Sequence, residues 1–139
     1  MTPTSVPARG SHWLWPPMLL LGVVTATLAW VFVALLSGRQ TGWMAVLAAL
    51  EIVFMLRLSR FRGGPARVTI TLLGTLLVAL AANWGIASAY VGGSMGLAPW
   101  DSALRMGPFM AWTLFQLANG VAEALWLVVA LVIGWWLAR

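Results

Sequence analysis

From Met18 to Ser37 the chain runs without a charged residue. A helix needs about 20 predominantly apolar residues to cross the hydrocarbon of a bilayer, and this run has that length. It is too long for the apolar part of a signal peptide, and no A-x-A-like cleavage site follows it. We read it as a retained membrane anchor. Three more apolar runs follow. Thr41–Leu58 holds Glu51, and Val68–Val91 is clean except for Asn83. Phe109–Ala138 extends for about 30 residues, or roughly 45 Å at 1.5 Å per residue. That exceeds the ~30 Å hydrocarbon core, so a continuous helix there must tilt or project.

The expected fold is therefore all-α: an integral membrane protein built as a four-transmembrane-helix bundle, with one membrane domain over 1–139. An N-terminal segment, 1–17, precedes spans at 18–37, 41–58, 68–91 and 109–138. A basic loop, 59–67, joins spans two and three. An outer loop, 92–108, joins spans three and four and carries a short interfacial helix at 99–106.

Composition agrees. Of 139 residues, 62% are apolar and 8% charged, where a soluble domain carries roughly 25% charged residues. There is no cysteine, which excludes disulfides, thiol catalysis and thiolate metal sites. One histidine, His12, argues against an imidazole-rich metal site. We expect His12 to sit at the membrane interface, and we expect neither metal nor cofactor. The net charge of +5 comes from eight arginines with no lysine. They lie between the apolar runs and not along one helix face, so they read as topogenic charge and not as a nucleic-acid surface.

Cytoplasmic loops of membrane proteins carry the excess of basic residues. Arg9, Arg57, Arg60, Arg62, Arg67 and Arg139 would share one side, with Arg39 and Arg105 on the other. Both termini and the middle loop are thus expected in the cytoplasm, in a bacterial inner membrane. Trp13 and Trp15 at the first span's start, and Trp135 and Trp136 at the last span's end, suit the interfacial aromatic belt.

The connections differ in kind. SGRQTG is a tight turn, and SRFRGGPAR is a basic loop with a Gly-Gly-Pro break. Gly92–Gly93 reads as another turn. In the outer loop, Pro99 suits a first helical position and Asp101 a first turn. Asp101 and Arg105 are four residues apart, as are Trp100 and Leu104, and Gly107-Pro108 closes the segment. A short helix on the outer membrane surface, with Trp100 and Leu104 toward lipid, follows.

At 100° per residue, the last span gathers Trp112, Gln116, Asn119, Gly120, Glu123, Leu127, Ala130 and Gly134 into one stripe. Leu125, Val128, Val129 and Val132 lie on the opposite faces. A polar, small-residue stripe is a helix-packing face, because small residues let backbones approach and polar side chains bond across the contact. The other spans show small faces too: Gly22, Thr25, Ala26 and Ala29 in the first, Gly42, Ala45, Ala48 and Ala49 in the second, Thr71, Gly74, Thr75, Ala82, Gly85 and Ala89 in the third.

Depth follows from the rise per residue, with Arg60, Arg67 and Arg139 as edge markers. Glu51 lies about 13 Å and Thr75 about 12 Å above that edge, and Asn83 and Glu123 about 24 Å. Two polar layers result. The inner one pairs Glu51 with Thr75, with Thr25 as a further partner. The outer one pairs Asn83 with Glu123, with Asn119 and Gln116 above. An ionised acid at mid-membrane costs about 2.5–3.5 kcal/mol or more, and no arginine lies at the depth of either glutamate. Each is tolerated if neutral, hydrogen-bonded and turned inward.

Enzyme chemistry is poorly supported. The acids are Glu51, Asp101 and Glu123. His12 at one edge and Asp101 at the other cannot complete a Ser-His-Asp set. Neither Gly-Gly pair has the strand or Lys-Ser/Thr of a phosphate loop. AALEIVFML and GVAEALWLV match too briefly to carry a duplication. We expect no catalytic residues. The expected function is that of a non-enzymatic accessory subunit or assembly partner, associating with lipid and with itself or another membrane protein, but not with nucleic acid. The alternative is an oligomeric small transporter or channel. Glu51 would be its protonatable residue, Glu123 would line an outer vestibule, and Thr75 and Asn83 would contribute to the ligand or proton site.

Overall fold

Among the described residues, proline and glycine punctuate the chain into six helices. The computed structural model describes residues 14–39, 41–59, 61, 63–118 and 120–139. Helix α1 spans Trp15–Ser37, α2 Met44–Leu58, α3 Pro65–Met95, α4 Pro99–Arg105, α5 Pro108–Ala118 and α6 Val121–Ala138. Prolines occupy the first turns of α1, α3 and α4, where the missing N–H has no intrahelical partner to lose. Gly38 (φ 64°) and Gly96 (φ 69°) end α1 and α3 in the left-handed region that glycine enters without steric cost. The expectations placed on Arg9, His12, Trp13, Arg60, Arg62 and Asn119 lie outside the described residues.

The protein is all-helical among the described residues. Three helices, α1, α3 and α6, are long and apolar enough to cross a membrane, which indicates a membrane protein. Helix α2 has 15 residues, short of the ~20 that a full crossing needs. The segment Thr41–Trp43, expected within a span, is instead part of the connection that precedes α2, with the Met44 N–H donating to the Thr41 carbonyl at 2.9 Å.

One expectation changes. Gly92–Gly93 is not a turn, because α3 continues through it to Met95. At Gly92 a Cβ would stand 2.9 Å from the Leu97 carbonyl, so glycine there lets the returning chain close against the helix. The last apolar run, which the sequence leaves open as one helix or two, divides into α5 and α6, with Gly120 extended (φ −83°, ψ −174°) ahead of α6. An Asn-Gly pair favours such a break.

Contacts define two ends of the bundle. At one end Trp15 packs edge-on against Phe61, centroids 5.3 Å apart. There too the Arg57 guanidinium donates to the Leu137 carbonyl at 2.7 Å and Arg67 Nε to the Ala138 carbonyl at 2.7 Å. The last carbonyls of a helix have no intrahelical donor, and two cations from the α2–α3 region supply them here. The start of α1, the α2–α3 connection and the end of α6 therefore share one end. At the other, α4 folds back on α3: Ser102 and Met106 are buried, and the Trp84 indole donates to the Ala103 carbonyl at 3.3 Å. Trp100 (70% exposed) and Leu104 (86% exposed) point away from α3. Asp101 and Arg105 form no ion pair with each other.

Helices α1, α2, α3 and α6 enclose the core. Ile52, Leu56 and Val78 are its largest wholly buried apolar side chains, and Ala26, Ala34, Ala45, Ala48, Ala49, Ala82 and Ala130 surround them. Small residues bring the backbones together. A Cβ at Gly74 would meet Ile52 Cδ1 at 3.2 Å, and one at Gly134 would meet Thr71 Cγ2 at 3.3 Å. Outside, Leu20, Leu28, Phe32, Leu73, Leu77, Leu125, Val128 and Val132 are exposed. So broad an apolar surface is foreign to a soluble monomer and suits lipid. Helix α5 contacts α3 alone among the described helices.

Candidate functional site

The break before Gly120 makes a helix start, and Glu123 lies in the first turn of α6. A first turn favours an acid, because its unpaired N–H groups carry partial positive charge. The carboxylate also reaches a second helix start. It rests against Gly42, two residues before α2, where a Cβ would overlap it. Two helix N-termini thus converge on Glu123, which explains why a carboxylate is tolerated there with no cationic side chain bound to it. Among the described residues, no hydrogen-bond donor or cation reaches that carboxylate.

Glu123 forms part of the wall of a cavity of about 440 Å³. Asn83 of α3 and Trp112, Phe115 and Gln116 of α5 share the wall, with Trp30, Ala45, Ala79, Ala124 and Leu127 supplying apolar surface. The rings of Trp112 and Phe115 stack, with centroids 5.6 Å apart and planes 13° from parallel. Asn83 donates from Nδ2 to the Ala79 carbonyl at 2.8 Å, which fixes its amide. Trp30 is 4% exposed, and its indole N–H has no acceptor. Such an orphan is unusual, since buried polar groups are nearly always hydrogen-bonded. Thr41, next to Gly42, likewise has a buried hydroxyl with no partner.

The sequence-derived residues divide between this cavity and other places. Asn83, Trp112, Gln116, Gly120 and Glu123 are brought together around it. Ala130 and Gly134 of the same stripe are buried further along α6, where Gly134 faces Thr71 and Ala49. Glu51 stands elsewhere, on the α1–α2 contact, where it pairs with the Thr25 hydroxyl. Thr75 does not reach Glu51. It is wholly buried, and its hydroxyl donates to the Thr71 carbonyl at 2.8 Å. Equal depth had paired Thr75 with Glu51, but depth does not determine which way a side chain faces.

The Thr25 hydroxyl is shared. It lies 2.8 Å from the Leu21 carbonyl and also reaches Glu51, and with one proton to give it donates to one of these acceptors at a time. Polar contacts of this kind join neighbouring helices.

Sequence reasoning missed Trp30 and Gly42. Trp30 was one of ten tryptophans and carried no local signal that its N–H would lack an acceptor. Gly42 was counted as a small packing residue, yet it gives the space that the Glu123 carboxylate fills. Among the described residues no cluster of three or more His, Cys, Asp or Glu could hold a metal ion. Compared with protein-family models, curated proteins and solved structures, the chain matches none.

Proposed function

We propose that the chain is a non-enzymatic multi-pass membrane protein that binds a small molecule in the outer half of its bundle and acts in transport as an oligomer. One observation carries this reading: a cavity of about 440 Å³ bordered by aromatic rings and by a carboxylate that no described donor reaches. Ligand pockets of ~300–1,000 Å³ are mostly apolar with a few convergent polar groups, and this wall has that make-up. In this reading Glu123 is the vestibule residue, whereas Glu51 serves the α1–α2 contact.

In the proposed topology α1, α2, α3 and the α5–α6 pair each traverse the bilayer, and α4 rests on the outer surface with Trp100 and Leu104 in lipid. Arg57, Arg67 and Arg139 mark the cytoplasmic end, in a bacterial inner membrane. The contacts that gather the start of α1, the α2–α3 connection and the end of α6 support this arrangement.

The accessory-subunit reading keeps one supporting observation. Helix α5 packs on α3 alone, and its surroundings expose Phe109, Leu117 and Val121, a face that another membrane protein could cover. Against it, the small-residue faces are used inside the chain: Gly22 meets Met55, Gly74 meets Ile52 and Gly134 meets Thr71.

Extraction from native membranes into nanodiscs, followed by native mass spectrometry, separates the two. The ligand reading expects the chain, in one or more copies, to carry a non-covalent small-molecule mass. A stoichiometric complex with a second polypeptide and no such mass would overturn it.

A further inference from the structure

We infer that this cavity takes a protonated organic amine, an inference that rests on reading the cavity as a ligand site. Among the described residues, Glu123 is the one ionisable side chain on the wall, and no cation pairs with it. The two helix starts lend this carboxylate only partial positive charge and no donor, so its full complement in an apolar recess is a cation. Beside it stand the stacked rings of Trp112 and Phe115. Aromatic faces attract an ammonium within about 6 Å of their centroids. They offer nothing to a divalent metal, which demands several oxygen, nitrogen or sulfur ligands. Aromatic faces and a carboxylate together select an organic ammonium.

Trp30 borders the cavity, but its indole N–H is closed off from it. Ala45, Ala79, Ala124 and Leu127 leave space for the hydrocarbon of the amine. Occupancy requires no covalent step: one charge is matched by one carboxylate.

The test uses the full chain in phosphatidylcholine nanodiscs near neutral pH, with three labelled probes: phenethylamine, the corresponding alcohol and the corresponding carboxylic acid. Saturable binding of the amine is expected, about tenfold or more tighter than that of the alcohol or the acid. Glu123→Gln should erase that preference. An alcohol or acid that binds as tightly as the amine overturns the amine assignment while leaving the cavity a ligand site. Unchanged amine affinity in Glu123→Gln overturns it too. Absence of saturable binding by all three probes overturns the ligand-site reading itself. If Glu123→Gln fails to fold, the ranking of the probes on the native chain decides.

Discussion

The Glu123 carboxylate lies against Gly42, so that a Cβ on Gly42 would overlap it. The two residues are far apart in sequence and belong to the starts of two different helices, α6 and α2. The partial positive charge of both starts explains how an acid persists in an apolar chain without an arginine beside it. It also makes Gly42 the residue that sets where the carboxylate stands.

Gly42→Ala should therefore displace the Glu123 side chain more than the backbone, because the obstructing atoms are at the end of a flexible side chain. Trp126 Cδ1, 3.2 Å from the added Cβ, has to yield by a few tenths of an ångström. The expected loss of stability is about 1 kcal/mol or less, read as a small fall in thermal midpoint, with a clear fall in ligand affinity. Unchanged affinity would show that the position of the carboxylate is immaterial.

Gly134 tests the bundle itself. Its missing Cβ would lie 3.3 Å from Thr71 Cγ2 and 3.6 Å from Ala49 Cβ. Gly134→Leu should overpack the contact among α2, α3 and α6 and cost about 1–3 kcal/mol. Gly93, with open space around it, is the control: Gly93→Leu should leave the thermal midpoint within a few degrees of native. Equal effects at both positions would refute the packing account.

Glu51→Gln should retain fold and thermal stability, since the amide oxygen can accept from the Thr25 hydroxyl in place of the carboxyl oxygen. It should also leave ligand affinity intact, because Glu51 is not on the cavity wall. Loss of proton-coupled flux in a folded Glu51→Gln protein would return Glu51 to a transport role.

Arg57 and Arg67 should anchor the end of α6 by geometry as well as charge. Arg57→Lys with Arg67→Lys keeps the positive charge that governs orientation but loses the planar guanidinium donors. Amide hydrogen exchange at the end of α6 should accelerate by several-fold, with orientation unchanged. Exchange rates equal to native would mean that the two hydrogen bonds contribute nothing to the order of that end.

Reporter fusions check the proposed topology. Fusions after Arg139 and within the 59–67 loop should signal cytoplasm, and one near Leu97 should signal the outer side. An outer signal at Arg139 would reverse the orientation drawn from the arginines.

The all-helical class and its apolar helices were legible in the sequence because each rests on local chemistry: uncharged runs of bilayer length, prolines at helix starts and glycines past their ends. The gathering of Asn83, Gln116 and Glu123 near one level could be estimated from rise per residue and helical phase. What escaped was long-range. Nothing near Arg57 or Arg67 says that their hydrogens will go to carbonyls of residues 137 and 138. Thr75 matched Glu51 in depth but faced elsewhere. The Asn-Gly pair at 119–120 was visible as a breaker, but an apolar run through it is compatible with one helix or two. The difference decides whether Glu123 stands in mid-helix or in a first turn.

The detachment of α5 from α6 has a consequence for where an occupant comes from. Helix α5 supplies three residues of the cavity wall and, among the described helices, its backbone comes close only to α3. It is the partition whose displacement breaks the fewest contacts, and its far side is apolar. A molecule leaving past it would enter the fatty phase before it met water. Under the proposed function, the concentration that would govern filling is the one reached by partitioning into the leaflet, where amphiphilic amines accumulate far above their aqueous level. A modest intrinsic affinity would suffice in such a reservoir, and membrane composition would tune occupancy as directly as any substitution in the wall.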